Sequence, residues 1–332
     1  MSVAGAAPEA DEAALAEALG RLAPKLGGGR VEGLRKLSGG ASHETWAFRL
    51  SGGADLILRR APAVERPGKP PAGVEVEAQV NARAAAAGAP VPEILHLLTP
   101  SDGAGRGYVM RRIEGETLPK RILRDPDYAP ARARFAAQAG EILAALHRTP
   151  IDGLPLETFT PESALAELAD RHRDFGQDRP VFSLAIRWLG ANQPEARAPK
   201  LVHGDFRMGN LMLGPEGIRA VLDWELCHFG DPVADMGWLC MASWRFGAEP
   251  PVGGMGDRET LWAAYEAAGG DPVDPRAARW WEVLGALRWG VICEEMGAWV
   301  RTGVDRSVER HVIARRTSET ELVLLLDLME AA

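Results

Sequence analysis

LVHGDFRMGNLMLGPEGIRAVLDWE, residues 201–225, sets Asp205, Asn210 and Asp223 among short apolar runs. LVHGD reads as an extended segment ending in a sharp loop, NLML as a short strand and IRAVLDW as another, with GPEG turning between them. Such a hairpin carries Asn210 at one end and Asp223 at the other. One amide carbonyl and one carboxylate so disposed suit a hard divalent cation such as Mg²⁺, which takes few protein ligands and completes its shell with water and phosphate oxygens. Asp205, just ahead of the hairpin, is left to face a substrate. Two carboxylates ~4 Å apart repel by about 4 kcal/mol at an effective dielectric of ~20, and a polyphosphate adds further negative charge, so the cluster calls for a cation. The chemistry expected is in-line phosphoryl transfer, with Asp205 orienting a hydroxyl and accepting its proton late.

A chain of 332 residues exceeds the usual single-core size, so one bilobal unit or two abutting domains is expected. No apolar run approaches the roughly 18 residues of a membrane span. The acidic start MSVAGAAPEADEAALAE lacks a basic stretch leading into an apolar one, which points away from a targeting leader and toward the cytoplasm. A formal charge of −8 leaves no electrostatic footprint for nucleic acid. Cys227, Cys240 and Cys293 have no metal-site spacing and are odd in number, so reduced, buried thiols are expected.

Upstream, residues 11–26 read as a helix with Asp11 as cap and Leu15, Leu19 and Leu22 on one face. VEGLRKL, TWAFRL and DLILRR, separated by glycine turns, read as an antiparallel meander. A Pro- and Gly-rich loop (62–73) leads into a helix from about Val74 to Ala87, and VPEILHLLTP and GYVMRRIEG read as two further strands. After Gly115 long amphipathic helices dominate and the last hundred residues read as wholly helical. The boundary is therefore placed between 1–115 and 116–332. Nine of the ten tryptophans lie between Trp188 and Trp299, and a large aromatic core accounts for most of them.

The pattern HGD-x4-N followed by LDWE resembles the catalytic motif of aminoglycoside phosphotransferases, choline kinases and their relatives, a branch of the protein-kinase-like fold. The run LVHGDFRMGNLML…AVLDWELCHFGDPVADMGWLC is especially similar to the kinase-like domain fused to certain acyl-CoA dehydrogenases. The resemblance implies an α+β fold, with a small antiparallel-sheet lobe ahead of a large, mainly helical one. It implies Asp205 as the catalytic Asp, Asn210 and Asp223 as metal ligands, Mg²⁺ as the ion, and ATP as co-substrate, with GTP open. In LSGGASHETW (37–46) Gly39 and Gly40 let the backbone approach phosphate and Ser42 offers a hydrogen bond. Arg59 stands where relatives carry a strand Lys, replacing a point charge with a planar fork; Arg60 should face the other way. Glu77 matches the helix acid that pairs with this cation, with Glu75 as the alternative. Met110 matches the back of an adenine pocket, and the backbones of Arg111 and Ile113 match the hinge. His203 and Asp235 are expected to brace the loop, Asp231-Pro232 to start a helix, Glu225 to support the metal, and Arg207 to meet a phosphate, an anionic substrate or Asp205.

No Walker A, HExxH or GxSxG pattern is present. Three functions remain. The first is a small-molecule kinase acting on the hydroxyl of a hydroxyacyl thioester or hydroxy acid; the second, an aminoglycoside or macrolide phosphotransferase; the third, a nucleotide-binding pseudokinase. The C-terminal helices mix Arg288, Arg301, Arg315 and Arg316 with Glu294, Glu295 and Glu309, which leans away from a polycationic acceptor. Oligomeric state is not legible.

Overall fold

The computed structural model describes residues 7–37, 43–62, 72–175, 178–305 and 307–330. They gather into two compact units. The first takes the described residues up to Glu114 together with Asp152–Pro155 and Ala220–Leu226, and the second takes Gly115–Ile151, Leu156–Arg219 and those from Cys227 onward.

In the first unit, α1 (Ala7–Leu22) precedes β1 (Val31–Lys36), β2 (Glu44–Leu50) and β3 (Asp55–Arg60), followed by α2 (Val74–Ala86), β4 (Ile94–Leu97) and β5 (Gly107–Arg111). The strands pair antiparallel in the order β1-β2-β3-β5-β4. Side chains alternate across a strand and recur every three to four residues on a helix. Trp46, Phe48 and Leu50 of β2 and Leu56 and Leu58 of β3 therefore share one face, where they cluster with Leu15, Leu19 and Leu22 of α1. Each such side chain contributes about 2 kcal/mol on burial. On the opposite face Tyr108 and Met110 of β5 cluster with Val74 and Ala78 of α2. Arg59 sits directly across the ladder from Tyr108, so it shares this second face. Asp11 lies inside α1 and does not cap it; the α-helix ends at Leu22 and continues as a 3-10 turn, Ala23–Leu26. Pro24, which has no N–H to donate, marks the change.

The second unit contains α3 (Pro119–Arg124), α4 (Ala129–His147), α5 (Pro161–Phe175), α6 (Pro180–Ala191), β6 (Lys200–Val202), β7 (Leu211–Gly214), β8 (Gly217–Val221, whose last two residues belong to the first unit), β9 (His228–Gly230), α7 (Val233–Cys240), α8 (Arg258–Ala267), α9 (Pro275–Thr302), α10 (Val308–Ala314) and α11 (Thr317–Glu330). The two short sheets are β6 with β9 and β7 with β8. The long α9 starts on Asp274, whose side chain accepts from the Arg276 amide at 2.9 Å with Pro275 at the first helical position, and stops at Gly303 in a left-handed conformation. Its buried Trp280, Trp281, Val283 and Leu287 pack with Phe182 of α6, Leu165 of α5 and Leu324 of α11. Where α7 crosses α9, Gly237 has no room for a side chain, since a Cβ there would lie 2.6 Å from the Trp281 carbonyl carbon.

The last hundred residues are not wholly helical. A 3-10 turn (Ala242–Trp244) leads into turns up to Asp257, closed by a single bridge between Val252 and Gly256. Pro250, Pro251, Gly253, Gly254 and Gly256 fall here, and prolines without donors beside flexible glycines do not sustain a helix. The three cysteines are free and buried. Among the described residues no helix is long and apolar enough to cross a membrane.

Candidate active site

Strand parity on β3 turns Arg59 toward α2, where Nε donates to Glu77 Oε2 at 2.9 Å. Of the two helix acids left open above, Glu77 is the one that reaches this cation. Glu75 forms a surface pair with Arg106 instead, at 2.8 Å. Arg60 lies over the Trp46 ring at 5.6 Å and pairs with Glu44, on the opposite face. Arg59 Nη2 donates to Asp223 Oδ1 at 2.5 Å and to Glu225 Oε2 at 3.4 Å. Tyr108 donates its hydroxyl to Glu77 Oε2 at 3.2 Å. His43, which carries no role in the motif reading, brings Nδ1 to 3.2 Å from Glu77 Oε1 and 3.3 Å from Glu225 Oε2.

Burial opposes charge on Arg59, yet Glu77 and Asp223 hold its guanidinium above the ordinary value. Burial raises the Glu77 carboxyl, with Arg59 and His43 pulling the other way. Three carboxylates thus face one guanidinium and one imidazole. The surplus negative charge and the carboxylate oxygens fit a hard cation; ligand atoms of His43, Glu77 and Glu225 lie within 4.8 Å of one another. Asp223 itself has φ 67, a left-handed conformation that a non-glycine residue holds at a cost of order 1 kcal/mol and which clusters at functional sites.

The expected hinge is only partly open. The Arg111 amide donates to Glu93 O at 2.9 Å, so it has no free N–H for a base, because β5 is flanked at this point by the segment leading into β4. Ile113 lies past the end of β5, outside the strand ladder. Met110 is half-buried on the Arg59 face of the sheet, opposite Ile57. Gly39, Gly40 and Ser42 lie outside the described residues.

In the second unit the loop after β6 hangs on one buried carboxylate. Asp235 accepts the amides of His203 at 2.8 Å and Gly204 at 2.9 Å, and His147 Nε2 lies 3.3 Å from its Oδ2. Burial works against ionisation of Asp235, but the bond from His147 keeps its carboxyl below the usual value. Gly204 takes φ 79, a region glycine enters freely. His203 is fully buried and its Nδ1 accepts the Asp205 amide at 3.2 Å, a bracing role. The loop so held presents Asp205 in a defined pose. Oδ1 accepts from Trp238 Nε1 at 2.8 Å and Arg207 Nε at 2.9 Å, and Oδ2 accepts from Asn210 Nδ2 at 2.6 Å. Asn210 Nδ2 also donates to the Asp205 carbonyl at 3.0 Å. With its NH₂ spent on two acceptors of Asp205, Asn210 has its carbonyl oxygen left as its remaining side-chain acceptor. Arg207 stacks on Trp244 at 4.5 Å. Asp231 accepts the Val233 amide and the Trp281 indole, both at 3.0 Å, so it ties the start of α7 to α9.

Trp238 has no role in the motif reading although it lies inside the quoted run. Its signal, a tryptophan on the helix that carries Asp235, is present in the sequence but mute about direction.

A model of the phosphotransferase enzyme family matches residues 33–281, about three quarters of the chain. The chain belongs to this family. This phosphotransferase is 30% identical over 233 residues to mouse (Mus musculus) acyl-CoA dehydrogenase family member 10, covering 66% of this chain and 21% of that one. It is 34% identical over 221 residues to chicken (Gallus gallus) acyl-CoA dehydrogenase family member 11, covering 62% and 27%. It therefore spans 21% to 27% of the length of those relatives. Its structure is similar to that of a Ralstonia eutropha protein described as a candidate aminoglycoside phosphotransferase, with a TM-score of 0.76, 21% identity, and coverage of 95% of this chain and 98% of the other. That likeness is one of fold, and the α+β class with its five-stranded antiparallel sheet agrees with it.

Proposed function

We propose that this phosphotransferase is an ATP- and Mg²⁺-dependent kinase that moves the γ-phosphoryl group to the hydroxyl of a small hydroxyacyl compound, either a hydroxy acid or a hydroxyacyl thioester. The observation that carries the reading is the pose of Asp205. Trp238 and Arg207 occupy both acceptor positions on Oδ1, which leaves on Oδ2, beside Asn210, the one position for an incoming hydroxyl. The hydroxyl oxygen attacks the γ-phosphorus, the bond to the β,γ-bridging oxygen breaks, ADP departs, and the hydroxyl proton passes to Asp205 Oδ2. Asn210 and Asp223, with Glu225 in support, would hold Mg²⁺, which when bound neutralises charge on the β- and γ-phosphates. Arg59, kept cationic by Glu77, supplies a guanidinium to the phosphates, and Met110 with the backbone near Ile113 receives the base.

The acyl class is supported by the identity shared with two proteins named as acyl-CoA dehydrogenases. The fold neighbour favours an antibiotic acceptor, but a polycationic aminoglycoside would meet Arg207 beside the transfer residue. A pseudokinase would have no use for an Asp205 so held.

Labelled ATP, offered with hydroxy acids, hydroxyacyl thioesters, choline-like alcohols and aminoglycosides, tests the proposal. Transfer to the acyl compounds is expected; transfer confined to aminoglycosides overturns the acceptor class. Asp205→Asn is expected to lower turnover by about 10³-fold or more while nucleotide affinity stays within a few fold, measured by radiolabel transfer and by nucleotide titration. Retained turnover removes Asp205 from the chemistry.

A further inference from the structure

Arg288 of α9 is a partly buried guanidinium without a carboxylate. Among the described residues none of its nitrogens lies within ion-pair distance of an acid, and its single hydrogen bond runs from Nη1 to the Gly204 carbonyl at 2.8 Å. Its guanidinium lies over the Trp238 ring at 4.5 Å from the centroid. The other buried or partly buried arginines of the site are matched: Arg59 by Glu77 and Asp223, Arg207 by Asp205. Arg245 and Arg258 both reach Glu282. Burial pulls the Arg288 pKa below the ordinary guanidinium value; Asp205, Glu167 and Asp235 act against that from a distance, and Arg171 adds to it. A buried charge costs free energy unless it is paired. Most of the five N–H donors of a guanidinium are unspent here, and the residue keeps partial contact with solvent.

Position gives this surplus a direction. The indole of Trp238 touches Asp205 through Nε1 at 2.8 Å and carries Arg288 on its face, so the proton acceptor and the free guanidinium lie about one ring apart. A molecule whose hydroxyl meets Asp205 therefore brings groups only a few carbons away within reach of Arg288.

We infer that Arg288 is the anchor of the acceptor site, binding an acyl oxygen on the same short chain as the hydroxyl that is phosphorylated. This rests on the kinase reading above and narrows it: the shared chemistry is an acyl oxygen, supplied as a carboxylate by a free hydroxy acid or as a carbonyl by a thioester. A carboxylate makes charge-assisted, two-pronged bonds to the guanidinium; a thioester carbonyl makes one weaker bond.

Arg288→Met and Arg288→Lys are compared with the wild type on a hydroxy acid, its thioester and the matching diol, which lacks the acyl oxygen. For Arg288→Met the KM for acid or thioester is expected to rise at least ten-fold more than the KM for the diol, any loss common to all three reporting the missing bond to Gly204, and Arg288→Lys is expected to recover part of the acyl-specific loss. A larger KM effect on the acid assigns the oxygen to a carboxylate, and a larger effect on the thioester assigns it to the carbonyl; either supports the anchor. An equal loss on all three acceptors, diol included, with no further KM rise for acid or thioester, would show that Arg288 only clamps the Gly204 carbonyl, and overturns it. Saturable quenching of tryptophan fluorescence by the acid or thioester without nucleotide separates the two readings. Quenching in the wild type that is lost in Arg288→Met supports the anchor even where no phosphoryl transfer is seen and the kinase reading fails. Absence of quenching by either compound in the wild type, or quenching unchanged in Arg288→Met, sinks the anchor and leaves the kinase reading to its own assay.

Discussion

Asp327 of α11 shows at a single residue how burial and partner supply compete. Its Oδ1 lies 3.2 Å from Arg279 Nη2, but Oδ2 is buried without a hydrogen-bond partner. Burial raises the carboxyl to about 6 and Arg279 offsets only part of that. With an unfolded value near 3.9, the folded state binds the extra proton between about pH 4 and 6. Stability therefore falls as pH rises through that window and stays lower above it, by about 2–3 kcal/mol. Asp327→Asn is expected to recover most of this at pH 8 and to change little at pH 4, read by urea unfolding at both. An equal change at the two values would refute the assignment. The same competition explains why Glu77 pairs with Arg59 and Glu75 with a surface arginine. On a helix those two residues point in different directions, and only the packed sheet decides which direction is inward. The motif singles out Asp205, Asn210 and Asp223 as candidates by residue type and spacing, and the structure brings Asn210 onto Asp205 and Asp223 onto Arg59. The motif is silent on Trp238, His43 and Arg288, because an indole, an imidazole or a guanidinium acquires a role only from what it touches.

At the level of elements, periodicity carries most of the reading. The meander, α2 and the hairpin that bears Asn210 follow from alternating and helical apolar patterns that nothing in the packing overrides. The misreadings lie where local backbone chemistry breaks a pattern, at Pro24 after α1 and in the Pro-Gly segment before α8. Glycines separate the two kinds of constraint. Gly20 lies inside α1, and a Cβ added there would meet nothing within 4 Å, so Gly20→Ala is expected to stabilise by about 0.5–1 kcal/mol through helix propensity. Gly237→Ala, in a helix as well, would drive its methyl into the backbone of α9 and is expected to cost about 1–3 kcal/mol or more. Paired thermal and urea denaturation of the two variants checks this, and a stabilising Gly237→Ala would refute the close approach of α7 and α9.

For the molecule as a whole, ligand linkage provides the measurement. If Mg-ATP binds the folded chain, nucleotide at 100 times its Kd adds about 2.7 kcal/mol, a rise in Tm of several degrees by scanning calorimetry, absent with ATP in chelator. Arg59→Ala is expected to remove that rise and to lower the basal stability by about 3–5 kcal/mol, since it leaves Glu77 buried without its cation. An Arg59→Ala protein as stable as the parent, with the full Mg-ATP response, would exclude Arg59 from both roles. The sequence by itself determined most of the elements, which rest on periodicity, and the phosphotransferase motif, which rests on residue types close together in the chain and whose resemblance to a known family implied the α+β class. Only the tertiary structure decided which partner each charged group has. Arg59 and Asp223 stand 164 residues apart, and the energy of a charge depends on its distance through space to other charges and to water, a quantity that no local stretch of sequence contains.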